Sequence, residues 1–286
     1  MTEQDELHIA ARRTLLDALD AAIPFRQSLI VVGAQAIYLR TSDGDLALAP
    51  FTTDGDIVID PSTLPSVPAL ETTMGAAGFS RSTQPGSWTK AIVINERSIE
   101  VDVDFLVPET VAAGRGNRSV ELKGHDRMAT RRVYGLEAAL VDHTSMRITA
   151  IDATDTRAII VEVAGPAALF IAKIHKIYDR VESGRHQRTP VDKDAADVYR
   201  LIQSTSLRAM TTGCRLALSE AVSRLVAESA LSRAEQLFGR PTAPGIEMAV
   251  RAISVVGEAP ETIAAVLSGY VSALLANLRR GSPRAR

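Results

Sequence analysis

The sequence predicts an α+β protein, with a small mixed sheet and flanking helices followed by an all-helical C-terminal portion. Three observations carry this. The apolar run Leu29-Ile30-Val31-Val32 is closed by Gly33 and leads into Ala34–Arg40, a strand, a glycine turn and a helix. Two later stretches read as strands: Asp54 and Asp56 alternate into the apolar Ile57-Val58-Ile59, and Ile99, Val101, Val103 and Phe105 alternate with Glu100, Asp102 and Asp104. After Gly165-Pro166 the alternation stops, and Ala and Leu recur at helical spacing as far as Arg280. The predicted domains are therefore residues 1–163 and 164–286.

The elements follow in order. Leu7, Ala10, Ala11, Leu15, Leu16 and Leu19 recur at helical spacing, which predicts a helix over 5–22 that Pro24 ends. Leu29–Val32 is a short buried strand, and Asp43-Gly44-Asp45 is turn chemistry rather than a second acidic strand. Asp56–Ile59 is the next strand, closed by Asp60-Pro61. Residues 61–68 read as loop and 69–77 as a helix stopped by Gly78. Ala91–Asn95 and Ser98–Val107 are paired strands around Asn95-Glu96-Arg97. Residues 109–132 are a polar, Arg-rich loop, with a strand or helix cap near Gly135-Leu136-Glu137. Arg147–Ile151 and Arg157–Val163 are β-like. Pro166 is well placed at a helix start, and helices are predicted over 167–182, 193–203 and most of 207–280, with breaks at 239–244 and 257–260. Residues 281–286 form a basic tail.

Composition narrows the class. With 46% hydrophobic residues the chain can bury a core, and with 4% aromatics that core rests on Ala, Val, Leu and Ile. A net charge of −2 excludes a generally basic nucleic-acid coat, so such a partner would meet a local patch. One cysteine, Cys214, excludes an internal disulfide and a Cys-based zinc site. An acidic N-terminus and the absence of about 18 uninterrupted apolar residues lead to the expectation of a cytoplasmic protein with no membrane partner.

On a strand, residues i and i+2 share a face, so Asp54 and Asp56 would aim two carboxylates into one small volume. Like charges so placed need a cation, and oxygen ligands of this kind suit Mg²⁺. Asp102 or Asp104 would supply a third carboxylate, as general base or as a further metal ligand; spacing alone does not choose between them. The Gly33-Ala34-Gln35 turn offers backbone N–H groups to a phosphate. Lys173, Lys176 and Arg180 form a basic stripe, which Asp194 and Asp197 on the next predicted helix would match by salt bridges as readily as a ligand would. Arg115, Arg118, Lys123, Arg127, Arg131 and Arg132 would form a patch for a polynucleotide, but Glu109, Glu121 and Asp126 dilute it toward a solvated loop. His125, His143, His175 and His186 lack metal-ligand spacing, and His175 between two lysines reads as a surface residue.

Taken in order, these motifs resemble the nucleotidyltransferase superfamily, and within it the AbiEii-like toxins of bacterial toxin–antitoxin systems, including the MenT group. The opening motif is Val32-Gly33-Ala34 with Asp54-Gly55-Asp56; the later helices carry Lys173-Ile174-His175 and Lys193-Asp194-Ala195-Ala196-Asp197. The resemblance implies a nucleotidyltransferase-like core and Mg²⁺-dependent transfer of a nucleoside monophosphate from an NTP to an acceptor hydroxyl. It implies that Asp54, Asp56 and Asp104 (or Asp102) hold metal, that Gly33, Ala34, Gln35, Lys173 and Lys176 bind the NTP, and that Asp194 is a late catalytic or orienting acid. It also implies tRNA as acceptor and a cognate antitoxin as partner. Ala34 stands where many members have Ser or a second Gly, so a phosphate-binding hydroxyl is missing. The alternatives are transfer to a small molecule or protein, and a non-catalytic nucleotide- or partner-binding relative.

Overall fold

The computed structural model describes residues 3–41, 54–113, 118–184, 189–254 and 257–281. The Asp43-Gly44-Asp45 turn, Arg115, His186 and the tail beyond Gly281 lie outside the described residues. The chain divides into two compact units: the described residues 3–39 and 54–164 form one, and Arg40 and Thr41 group with the residues from Gly165 onward in the other.

The first unit is a mixed sheet with its helices. Its elements are α1 (Glu3–Ala21), β1 (Leu29–Val32), α2 (Gly33–Arg40), β2 (Gly55–Ile59), α3 (Leu70–Ala76), β3 (Ser80–Arg81), β4 (Ser87–Ile94), β5 (Arg97–Pro108), β6 (Arg131–Val133), β7 (His143–Thr149) and β8 (Ala158–Ala164). The strand order is β3-β4-β5-β2-β1-β8-β7, with β6 also on β5. β1 runs antiparallel to β2 and parallel to β8, and β2 runs parallel to β5. Helix α1 closes one face. Its Leu15 methyl lies 3.4 Å from where a side chain on Gly55 would begin, and Val31, Ile57, Val103 and Phe105 are fully buried. Each such side chain contributes roughly 1.5–3 kcal/mol on leaving water.

Several boundaries differ from the sequence expectation. β4 begins at Ser87 rather than Ala91, because Trp88 is buried and its Nε1 donates to Ala129 O at 3.1 Å. Arg131–Val133, expected as loop, is a strand held by three parallel pairs with β5. Glu137–Leu140 is a short 3₁₀ helix. The buried Glu137 carboxylate anchors it by accepting from Thr110 N and Gly135 N at 3.2 and 2.8 Å.

The second unit is all-helical: α4 (Pro166–Glu182), α5 (Thr189–Ser204), α6 (Leu207–Ser219), α7 (Arg224–Phe238), α8 (Pro244–Ile253) and α9 (Pro260–Gly281). α9 has the length and hydropathy of a membrane span. Its stripe of Ile263, Leu267, Val271, Leu274 and Leu278 is nevertheless buried in this unit's core.

Candidate functional site

The two acidic strands meet through their register. Parallel pairing of β2 with β5 sets Gly55 beside Val103 and Asp56 beside Asp104. Neighbouring strands lie about 4.8 Å apart and paired residues share a face. Gly55 and Val103 turn toward α1, so Asp56 and Asp104 leave the sheet together on the opposite face. Asp102 shares that face but lies two residues away, where Thr89 Oγ1 donates to its Oδ1 at 2.5 Å. The register thus sets Asp104, not Asp102, next to Asp56.

On its other side Asp56 pairs with Val32, the last residue of β1, and so meets the glycine that follows. Gly33 has φ +70°, a backbone conformation that suits glycine. A methyl group there would begin 2.0 Å from Asp56 Oδ2. The carboxylate therefore rests against the first residue of α2, where N–H groups have no partner within the helix and the helix dipole is positive. Ala34 and the Gln35 side chain are buried, and Gln35 Oε1 accepts from Arg12 Nε at 3.4 Å. What this turn can present to an anion is backbone.

Asp54 is exposed and precedes β2, which begins at Gly55, so the ladder does not fix it on the Asp56 face. Among the described residues no three His, Cys, Asp or Glu side chains gather as a metal-binding group. Of the expected trio Asp54, Asp56 and Asp104, the strand register brings Asp56 and Asp104 together, and Asp54 stands one residue ahead of β2. The pair fits Mg²⁺, which takes one or two carboxylates and completes its shell with water and substrate phosphates. Burial, and next the Asp56 charge, raise the Asp104 pKa above the ordinary carboxylate range, while Arg131 and Ser87 oppose the shift. Sequence reasoning missed Ser87 and placed Arg131 in an Arg-rich loop read as solvated rather than as a phosphate-binding patch. Arg131 Nη2 donates to Asp104 Oδ2. The only signal for these residues was the Pro85-Gly86 turn just ahead of Ser87.

The remaining predicted residues lie in the second unit. Lys173 Nζ donates to Asp194 Oδ1 at 2.6 Å and to Asp197 Oδ2 at 2.7 Å; all three are buried. Arg180 also pairs with Asp194, and the half-exposed Lys176 lies 3.4 Å from it. The stripe and the acidic pair thus tie α4 to α5, with two of the three Lys173 ammonium protons engaged. His175 is not a surface residue. It is buried, with Nε2 3.0 Å from Val226 O and Nδ1 2.5 Å from Arg233, and burial lowers its pKa.

Of the Arg-rich loop, Arg131 faces Asp104 and Arg132 donates to Ala113 O at 2.7 Å. Arg127 lines an open groove with Arg81, Glu121, His125 and Asp126, where the Arg81–Asp126 pair at 2.7 Å balances charge. His125 is held at both nitrogens, by Leu70 N at 3.0 Å and Pro65 O at 2.9 Å.

No protein-family model matches the chain, and no curated protein matches it. The crystal structure of a putative nucleotidyltransferase from H. pylori is similar over 99% of this chain and 100% of that one, at 12% identity and a TM-score of 0.43.

Proposed function

We propose that this chain is a Mg²⁺-dependent nucleotidyltransferase that moves a nucleoside monophosphate from an NTP to an acceptor hydroxyl and releases pyrophosphate. One observation carries the reading: the Asp56 carboxylate rests against Gly33 at the start of α2 and stands in register beside the partly desolvated Asp104. Carboxylates for a metal–triphosphate and backbone donors for its phosphates thereby come together where β1 ends and β2 begins.

Asp56 and Asp104 would hold the ion, with Asp54 reaching in from the strand mouth. When bound, Mg²⁺ neutralises charge on the triphosphate and the leaving pyrophosphate. The Asp104 carboxylate takes the proton of the acceptor hydroxyl. The acceptor oxygen then forms its bond to the α-phosphorus as the bond from that phosphorus to the β-phosphate bridging oxygen breaks. The first backbone N–H groups of α2 orient the phosphates.

The motif order supports tRNA as acceptor and a toxin role in the cytoplasm with an antitoxin partner. The test is incubation with Mg²⁺, each α-labelled NTP and total cell RNA, with Asp56→Ala as control. The expected result is label in a tRNA-sized band with wild type alone. Label in protein or a small molecule would replace the acceptor, and NTP binding without pyrophosphate release would establish the non-catalytic reading that Ala34 favours.

A further inference from the structure

β5 changes neighbours beside the carboxylate pair. β4 accompanies it as far as Ser87, opposite Asp104. Two residues on, β6 takes over with Arg131 opposite Leu106. The changeover brings the first side chain of the new strand to Asp104, and both members of this ion pair are less than one-fifth exposed, at 18% and 17%. Arg131 is fixed from three directions. Its Nη1 donates to Gln84 Oε1 at 3.3 Å, and its backbone bridges to Ser119. Gly86, at φ +75°, packs so closely that a methyl there would begin 2.6 Å from Arg131 N and 2.7 Å from its Cβ.

We propose that Arg131 is the resident counter-charge of the Asp56–Asp104 pair, a positioning residue that holds Asp104 beside Asp56 and competes with a divalent cation for it. The inference rests on the metal-binding reading above. Two carboxylates side by side and partly out of water repel each other unless a cation compensates them. A guanidinium supplies a permanent positive charge, and its fork can hold one carboxylate oxygen while another group engages the second. A divalent ion approaching the pair meets that charge as a rival. Without Arg131 the pair is more negative and attracts the ion more strongly, but Asp104 is no longer oriented.

The experiment uses Mn²⁺ as probe and the purified full-length chain, with affinity read by paramagnetic resonance of the free ion. Arg131→Met is expected to bind Mn²⁺ about tenfold more tightly than wild type. Arg131→Lys, which keeps the charge without the fork, is expected to stay near wild type. Emission from buried Trp88, the only tryptophan, reports whether each variant retains its sheet. Should Arg131→Met not fold, the wild type still gives an answer: the Arg131 side-chain nitrogen resonances should shift on Mg²⁺ addition and should not do so in Asp104→Asn. Mn²⁺ affinity indifferent to residue 131, or resonances indifferent to Mg²⁺, overturns the counter-charge. No Mn²⁺ binding by wild type and Arg131→Met alike overturns the metal-binding reading itself.

Discussion

Lys173→Met separates a structural cation from a triphosphate ligand. The lysine side chain is 6% exposed, and its partners Asp194 and Asp197 are 0% and 3% exposed. After substitution Asp194 keeps Arg180 and Lys176, whereas Asp197 loses the cation 2.7 Å away. Removing one partner of a buried pair costs about 3–5 kcal/mol, because the remaining charge stays out of water. The Met stem replaces most of the lysine's packing and recovers little of that. In a helical unit of this size about 4 kcal/mol lowers Tm by roughly 10–20 °C. Urea denaturation followed at 222 nm measures the loss in the helices. The double variant Lys173→Met/Asp197→Asn, which removes the stranded charge, should regain at least half of it. A loss below about 1 kcal/mol, or a double variant no better than the single, would show that the ammonium is not locked between α4 and α5.

Three further outcomes follow from the same geometry. Gly33→Ala places a Cβ in the Asp56 carboxylate at positive φ; it should cost roughly 1–3 kcal/mol and weaken Mn²⁺ binding, and unchanged thermal melting would contradict the close approach. Asp56→Asn removes the second-largest cause raising the Asp104 pKa, so that pKa should fall; carboxyl ¹³C titration reads it, and no movement would mean that the two charges do not sense each other. Asp155 is held down to about 2, chiefly by its hydrogen bond from Arg157. A depressed folded pKa stabilises above the unfolded value and loses that contribution as pH falls. About 1–2 kcal/mol should therefore disappear between roughly pH 4 and pH 2, and Asp155→Asn should flatten that part of the acid-unfolding curve.

Much of the fold was legible because two periods compete openly in this chain. Alternation of Ile99, Val101, Val103 and Phe105 marks a strand with one buried face, and β5 buries Val101, Val103 and Phe105 with Ile99 partly buried. The Ala/Leu spacing after Pro166 marks helices, and α4–α9 follow. Arg131–Val133 was illegible for a physical reason. A three-residue strand carries no period of its own, and its state comes from Leu106, Val107 and Pro108, far away in sequence. Trp88 likewise lies in a segment whose turn residues, Gln84-Pro85-Gly86, signal a loop more strongly than the following residues signal a strand.

At the site, sequence supplied residue types and topology supplied neighbours. Asp54-Gly55-Asp56 could be read as a carboxylate pair from i, i+2 spacing, but that spacing acts only within a ladder, and the ladder begins at Gly55. The effective pair is formed across strands, Asp56 with Asp104, and no local pattern encodes which strand lies beside β2. Gly33 is the instructive intermediate. The turn was visible as a glycine after an apolar run, yet the demand for glycine comes equally from the Asp56 oxygen that occupies the place of a side chain. The same logic separates Arg131 from the other basic residues of its loop. Composition makes them equivalent, and only the passage of β5 from β4 to β6 brings this one to Asp104. A charge within a basic loop acquires a specific role when a strand ends beside it.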